Sequence, residues 1–194
     1  MERADQVPVI EAKRHDPRYQ RLMEATRAAA HGGYDAVSMR DLARSCQMSM
    51  KTIYRFCGSK DQLIAEAHLD GMVEFRRRVA ARPQTGATAR DRVGSVMRSF
   101  ANALDDDEVR SRVMLRALYA LDLDASELRS EVGASFSTIV DAAIADADVA
   151  DREAVIATLT HVMDSVIRIW LAGRHDGAWV RHQLDDAVRV VLGP

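Results

Sequence analysis

Residues 38–60 read SMRDLARSCQMSMKTIYRFCGSK, two short apolar-faced segments separated by a tight turn. Each segment repeats an apolar residue after one helical turn, Leu42 with Cys46 and Ile53 with Cys57. Neither segment is long enough to bury its apolar face alone, so the two must pack on each other and on a preceding helix. A three-helix unit with a tight turn between its last two helices is a helix-turn-helix arrangement, which we expect here.

The rest of the chain is also predicted to be helical, so the expected fold class is all-α. Ala, Leu, Arg, Met and Glu are frequent, and no β-branched run alternates with period two. Serines supply helix caps at Ser38, Ser49 and Ser59, the last forming a capping box with Gln62. Residues 1–16 are expected to form a flexible, partly basic arm. The nine predicted helices span about residues 17–31, 39–46, 50–56, 60–81, 88–104, 108–121, 126–146, 151–174 and 178–192.

Charge is distributed unevenly along the chain. Residues 1–60 carry 11 Lys and Arg against 7 Asp and Glu, a net charge of +4, whereas the remaining residues carry 16 against 22, a net charge of −6. A basic N-terminal third on an acidic body favours a polyanionic partner for that third alone. A solvated charged face has a similar composition, so charge by itself does not decide between the two interpretations.

Polar side chains occupy the outward side of the third predicted helix. A helix N-terminus presents unpaired amide hydrogens, and hydroxyl and ammonium groups can reach phosphates or base edges in the DNA major groove. Three flanking residues are expected to hold the DNA backbone on either side. The predicted DNA-binding residues are therefore Ser38, Arg40, Ser49, Met50, Lys51, Thr52, Tyr54 and Lys60. An ordinary helical hairpin with a solvated polar face is the alternative.

Three motifs in this region resemble the TetR family of bacterial regulators: GYDAVSMRDLA at residues 33–43, TIYRF at 52–56 and SKDQL at 59–63. The resemblance covers about residues 18–66, with Ser49 also matching, and several separate matches share one spacing. It implies a homodimeric, usually repressing, ligand-responsive DNA-binding protein with a variable C-terminal helical body. Such a dimer is expected to bind a palindromic double-stranded operator with its recognition helices about 34–36 Å apart.

The same resemblance divides the chain into two expected domains. Residues 1–58 would form the arm and the helix-turn-helix DNA-binding domain, and residues 59–194 a helical effector-binding and dimerisation domain. Three positions depart from the family pattern: Gln47 replaces a common turn glycine, Lys51 a small residue and Cys57 a phenylalanine. These departures affect the expected turn geometry, operator sequence and stability, but not the fold.

The resemblance assigns the last two helices to dimerisation, and their apolar residues agree. The eighth helix is apolar over more than one face, which predicts burial by its own body and by a second subunit. The predicted interface residues are Ile156, Leu159, Met163, Ile167, Leu184, Val188 and Val191. A deep core within one subunit is the alternative.

Flexible and aromatic side chains on several helices are predicted to line an effector pocket. The predicted pocket residues are Met72, Phe75, Met97, Phe100, Met114, Tyr119, Phe136, His161 and Trp170. Each of them can instead be plain core, and His161 can form a surface pair with Asp164. Stretches 114–119, 170–171 and 184–189 are similar to the steroid-catabolism repressors of the family, which implies a bulky steroid- or fatty acyl-CoA-like effector.

Other function classes find little support in the sequence. It contains no glycine-rich phosphate loop and no HExxH, so we expect no enzyme, catalytic residue, cofactor or metal; a His161–Asp164 dyad and a helical adaptor without DNA binding are the alternatives. The acidic run 105–108 fits a helix start better than a metal site. Cys46 and Cys57 are expected to be small buried hydrophobes, with a redox role as the alternative. The charged N-terminus and the lack of a long apolar run predict a cytoplasmic protein without a membrane span.

Overall fold

A computed structural model describes residues 13–81, 86–121, 126–145 and 147–193 of the chain. Within these residues the fold is all-helical and contains no strand, which confirms the predicted fold class. The predicted arm before Lys13 and most of the loop at 82–86 lie outside the described residues. The helices of the described part are α1 (Pro17–Ala30), α2 (Met39–Ser45), α3 (Met50–Phe56), α4 (Lys60–Ala80), α5 (Ala89–Asp105), α6 (Glu108–Ala120), α7 (Ser126–Ala143), α8 (Arg152–Leu171) and α9 (Gly177–Leu192).

The predicted serine caps begin the helices of the N-terminal region. Ser38 Oγ accepts the Asp41 amide at 3.3 Å, and Ser49 Oγ accepts the Thr52 amide at 3.1 Å. At the start of α4 the Gln62 amide donates to Ser59 Oγ at 3.1 Å. The returning Gln62 side chain accepts from Gly58 rather than Ser59, so only half of the predicted capping box forms.

The turn between α2 and α3 reverses the chain through a left-handed residue. Gln47 has φ 54°, and the amides of Gln47 and Met48 donate to the carbonyls of Arg44 and Ala43 at 3.2 and 2.8 Å. This pair of hydrogen bonds is a Schellman motif, in which glycine is the common left-handed residue. Gln47, which replaces the common turn glycine, therefore adopts a backbone conformation that is strained for a residue with a side chain.

The chain divides into two compact units. The first comprises Met1–Gly71 and Val109–Glu131, and the second Met72–Glu108 and Val132–Pro194. The structural division falls inside α4, whereas the predicted domain boundary lies at residue 58. The two differ because Leu63 and Ile64 of α4 are fully buried in the core of the first unit.

The core of the first unit joins α1, α2, α3, the start of α4 and part of α6. Leu22 of α1 is fully buried there, and Ala25 and Ala29 of the same helix pack against this core. Tyr19 meets Phe56 edge-on, with ring centroids 5.6 Å apart. Its buried members include Tyr19, Leu22, Met23, Val37, Leu42, Cys46, Ile53, Phe56, Cys57, Leu63, Ile64, Val113 and Met114.

In the second unit α9 packs mainly on α5 and also on α8. The Asp105 carboxylate, at the end of α5, lies over the first residue of α9, Gly177, and accepts a hydrogen bond from Arg181. Leu184 and Val188 of α9 are buried in the same unit. A charged contact and an apolar stripe therefore hold α9 in place.

Helix α8 is the one helix of the described residues that is long and apolar enough, by length and composition, to span a membrane. Its mean hydropathy over an 18-residue window is 1.4. A core helix of a soluble protein meets the same two criteria, and α8 buries Leu159, Ile167 and Trp170 inside the second unit. Its composition therefore does not indicate a membrane protein.

Candidate nucleic-acid interface

Helix α3 separates an apolar inner face from a polar outer face. Ile53 is fully buried and Phe56 is 9% exposed, whereas Tyr54 is 55% exposed and Lys51 is also exposed. Met50 and Thr52 are half-buried at the start of the helix. The structure thus places Lys51 and Tyr54 outward, where they can reach a ligand that lies along α3.

The hydroxyl groups at the N-terminus of α3 are already engaged within the protein. Ser49 Oγ caps the helix and also lies 2.9 Å from Thr52 Oγ1. Each hydroxyl keeps additional hydrogen-bonding capacity, because a hydroxyl both donates and accepts. Ser49 therefore has a structural role as the cap of α3. It can contact DNA only through the hydrogen-bonding capacity that the cap leaves unused.

The predicted flanking residues Ser38 and Arg40 lie at the start of α2. Ser38 is half-buried as the cap, while Arg40 is exposed. Arg44, one turn later, is paired with Asp41 at 2.9 Å. Both arginine side chains are exposed, but the guanidinium of Arg44 is engaged in an ion pair with its own helix.

Lys60, at the first position of α4, is held by an aromatic ring. Its Nζ lies 3.8 Å from the ring centroid of Tyr34, within the range of a cation–π interaction. Tyr34 is fixed in turn because its hydroxyl donates to Asp61 Oδ1 at 2.8 Å, and this hydrogen bond raises the pKa of Tyr34. Sequence reasoning missed Tyr34 as a positioning residue, although it is part of the motif at 33–43 that carries the resemblance.

A buried carboxylate, Glu66, lies beneath α3 and was not foreseen. It is fully buried and accepts from Lys13 Nζ and Gln62 Nε2, each at 2.8 Å, and from Tyr19 OH at 2.8 Å. Cys57 Sγ lies 3.4 Å from its other side, and burial raises the pKa of this thiol. We name these residues, Lys13, Tyr19, Cys57, Gln62 and Glu66, the Glu66 cluster.

The segment before α1 is fastened to the first unit. Besides its bond to Glu66, Lys13 Nζ donates to the Phe56 carbonyl at 2.7 Å. Arg14 Nε donates to Asp70 Oδ1 at 2.7 Å, and Arg27 pairs with the same carboxylate. The expectation of a flexible arm is therefore wrong for residues 13–16, because buried carboxylates on α4 recruit its cations.

The predicted pocket residues fall into four groups. Phe100 lies 6.2 Å from Phe136 and 6.5 Å from Phe75 between ring centroids, so the second unit brings three of them together. Met114 belongs to the core of the first unit, whereas His161 is exposed on α8. The remaining members are buried or half-buried: Met72, Met97, Tyr119 and Trp170.

Most of the predicted dimer residues are buried inside a single chain. Five of them are at most 6% exposed: Leu159, Met163, Ile167, Leu184 and Val188. Ile156 and Val191 are half-buried. The outer faces of α8 and α9 instead expose Ile169 and Val190, at 41% and 72%.

The described residues offer little support for a catalytic dyad, a metal site or a redox-active cysteine. Asp164 accepts from Arg168 Nε at 2.7 Å, and His161 is exposed, so this pair is not a shielded dyad. No group of three metal-binding side chains converges within the described ranges. Cys46 and Cys57 are free and buried, which confirms the interpretation of both as small core residues.

A three-helix unit with a tight turn before its last helix, and with a polar outer face on that helix, has the arrangement of a helix-turn-helix DNA-binding domain. Residues 22–67 match the bacterial regulatory proteins of the tetR family. The chain is similar to the HTH-type transcriptional repressor KstR of Rhodococcus jostii, at 27% identity over 180 residues that cover 91% of this chain and 83% of the relative. The chain therefore resembles a transcriptional regulator of the TetR family, over residues 22–67 by the family match and over most of its length by its similarity to KstR.

Solved structures agree with this fold. A TetR transcriptional regulator from Rhodococcus sp. RHA1 superposes with a TM-score of 0.75 at 21% identity, covering 90% of this chain and 94% of that one. The transcriptional regulator FadR from Bacillus subtilis, solved in complex with stearoyl-CoA, gives a TM-score of 0.66 at 17% identity and covers 91% and 99%. At these identities the likeness concerns the fold alone.

Proposed function

We propose that this chain is a cytoplasmic repressor that binds a palindromic operator as a homodimer and leaves it when a small hydrophobic effector binds. Its DNA-binding residues are Arg40, Met50, Lys51, Thr52, Tyr54 and Lys60, assisted by Ser38 and Ser49. The related KstR proteins are named as transcriptional repressors, which supports repression as the outcome of binding.

One observation carries the proposal: α3 buries Ile53 and Phe56 while it exposes Lys51 and Tyr54. A recognition helix needs this division, because its inner face must fix the helix and its outer face must enter the major groove. Lys60, held over Tyr34, adds a cation at the start of the next helix. A cation fixed in one place loses little conformational entropy when it pairs with a phosphate.

Selection of bound duplexes from a random DNA pool tests this function. We expect a palindromic site with half-sites separated by about one helical turn or a multiple of it. Repeating the selection with Lys51→Ala should change the preferred bases, because this side chain extends from the outer face of α3. Failure of the wild-type chain to enrich any duplex at low ionic strength would contradict the proposal.

The aromatic side chains of the second unit support a bulky apolar effector. Phe75, Phe100 and Phe136 come from α4, α5 and α7 and form a continuous edge-to-face series. Apolar pockets between bundle helices are common ligand sites. The complex of FadR with stearoyl-CoA shows that a chain of this fold accommodates a fatty acyl-CoA, so we propose a fatty acyl-CoA- or steroid-CoA-like effector.

Thermal stabilisation tests the effector class. Long-chain and steroid acyl-CoA thioesters should raise the melting temperature by an amount that grows with their concentration, because they bind only the folded chain. Coenzyme A without an acyl group is the matched control and should give a much smaller shift. Equal shifts with and without the acyl group would contradict an apolar pocket.

Two other function classes compete with a regulator. A helical adaptor would bind a protein through the exposed face of α3. It would show no sequence-dependent binding to DNA duplexes. An enzyme would need a catalytic group, and the best candidate pair, His161 and Asp164, is exposed and tied to Arg168. Salt-sensitive, sequence-dependent binding to duplexes distinguishes the regulator from both.

A further inference from the structure

We propose that Lys13 is a positioning residue for DNA binding: it fixes the end of α3 to α4 through Glu66 and does not itself contact DNA. This inference rests on the proposed function, since it concerns how the recognition helix is held. Lys13 precedes the three-helix unit in the sequence, and lysines of DNA-binding proteins commonly contact phosphate.

Two hydrogen bonds use the Lys13 ammonium within the protein. One goes to the carbonyl of Phe56, the last residue of α3, at 2.7 Å, and the other to Glu66 Oε1 at 2.8 Å. The Lys13 side chain is only 20% exposed, and that of Glu66 is not exposed at all. The ammonium thus joins the C-terminal end of α3 to Glu66 of α4. A cation is favourable at a helix C-terminus because it interacts with the negative end of the helix dipole.

The Glu66 cluster is balanced around this one cation. Each carboxylate oxygen accepts two donors: Lys13 and Gln62 on Oε1, and Tyr19 and Cys57 on Oε2. Lys13 is the one charged donor among the four, so its removal leaves a buried carboxylate without charge compensation. The Phe56 carbonyl loses the same donor, so the end of α3 loses the link to α4 that Lys13 provides.

Small displacements of a recognition helix matter because contacts to base edges need a geometry held to about 0.5 Å. The expected result of Lys13→Met is therefore about a tenfold loss of operator affinity. The dependence of that affinity on salt should stay unchanged, because no phosphate contact is lost. A phosphate contact would instead lower the salt slope by about 0.9.

Fluorescence anisotropy measures the affinity of the full chain for the selected duplex at several salt concentrations, from low to high. Arg18→Met is the matched control, since it removes one nearby cation at the start of α1, where Arg18 is half-exposed and pairs with Asp16. The double variant Lys13→Met with Glu66→Gln should lose little more than either single variant, because both act on one contact. Lys13→Arg, which keeps the charge, should restore part of the affinity.

Folding is checked by circular dichroism at the temperature of the binding measurement. If Lys13→Met does not fold, Tyr19→Phe replaces it, because it removes one hydrogen bond to Glu66 and no charge; we expect a severalfold loss of affinity at unchanged salt slope. A reduced slope, or a lower melting temperature with unchanged affinity, would overturn the inference. A wild-type chain that binds no duplex would overturn the proposed function instead, so the two failures are distinguishable.

Discussion

Gln47 is one of two non-glycine residues with a positive φ in the described part of the chain, and glutamine suits this conformation less well than the aspartate at the other, Asp151. Gln47 is exposed and left-handed, with φ 54°, at the turn of the helix-turn-helix. A non-glycine residue in this conformation costs roughly 1–2 kcal/mol. Gln47→Gly should therefore stabilise the chain by about 1 kcal/mol and raise its melting temperature by about 2–4 °C.

Calorimetry or thermal circular dichroism measures this effect. Glu24→Gly is the matched control, since Glu24 is exposed within α1 and glycine there should destabilise by about 1 kcal/mol. Equal destabilisation by both glycines would show that the Gln47 side chain contributes something the backbone conformation does not reveal.

Lys60 is one of the residues for which a phosphate contact is expected. Lys60→Ala should weaken binding to all duplexes to a similar degree and lower the salt slope by about 0.9, since one counterion fewer is released. Tyr34→Leu should weaken binding with a smaller change of slope, because the cation remains but is no longer held over the ring. Titrations at several salt concentrations measure both, and an unchanged slope for Lys60→Ala would rule out the phosphate contact.

At the scale of elements, two helical glycines make a matched pair. A Cβ at Gly177 would overlap the Asp105 carboxylate, whereas a Cβ at Gly133, within α7, meets nothing within 4 Å. Gly177→Ala should therefore destabilise by about 1–3 kcal/mol, because Asp105 must move and lose Arg181. Gly133→Ala should stabilise by up to about 1 kcal/mol through helix propensity.

Chemical denaturation of both variants gives the comparison. Stabilisation by both alanines would mean that the Asp105 side chain moves aside at no cost, and its contact with Arg181 would then be dispensable for α9. Opposite signs would confirm that the α5–α9 contact depends on the absence of a side chain at Gly177.

Sequence alone predicted the helices and the outward face of α3, because caps and apolar periodicity are local properties. Ser38 and Ser49 begin α2 and α3 as expected, and Ile53 is buried as its spacing requires. Periodicity could not tell whether Leu184 faces the core or a partner, since both environments are apolar. The Glu66 cluster was also beyond reach, because it joins residues up to 53 positions apart through tertiary packing.

At the scale of the whole molecule, we propose that dimerisation uses the outer faces of α8 and α9. A side chain already buried in one chain offers no surface to a partner, which directs attention to Ile169 and Val190. Val190→Glu should shift the protein toward monomer and weaken operator binding, because a charge in an apolar interface is costly. Light scattering after size-exclusion chromatography measures the oligomeric state.

Val109→Glu is the matched control for this variant. Val109 is 52% exposed on α6, in the first unit, and its replacement adds the same charge to a different helix. We expect it to leave the oligomeric state unchanged. A dimer that survives Val190→Glu but dissociates with Val109→Glu would place the interface on the first unit.

The burial of both thiols gives this protein an internal reporter. The chain contains two cysteines, and both lie in the core of the first unit, at 6% and 0% exposure for Cys46 and Cys57. A thiol reagent can reach them only when that unit opens, and the raised pKa of Cys57 further slows its reaction. The rate of alkylation therefore reads the opening of the DNA-binding unit separately from the rest of the chain, without any introduced label.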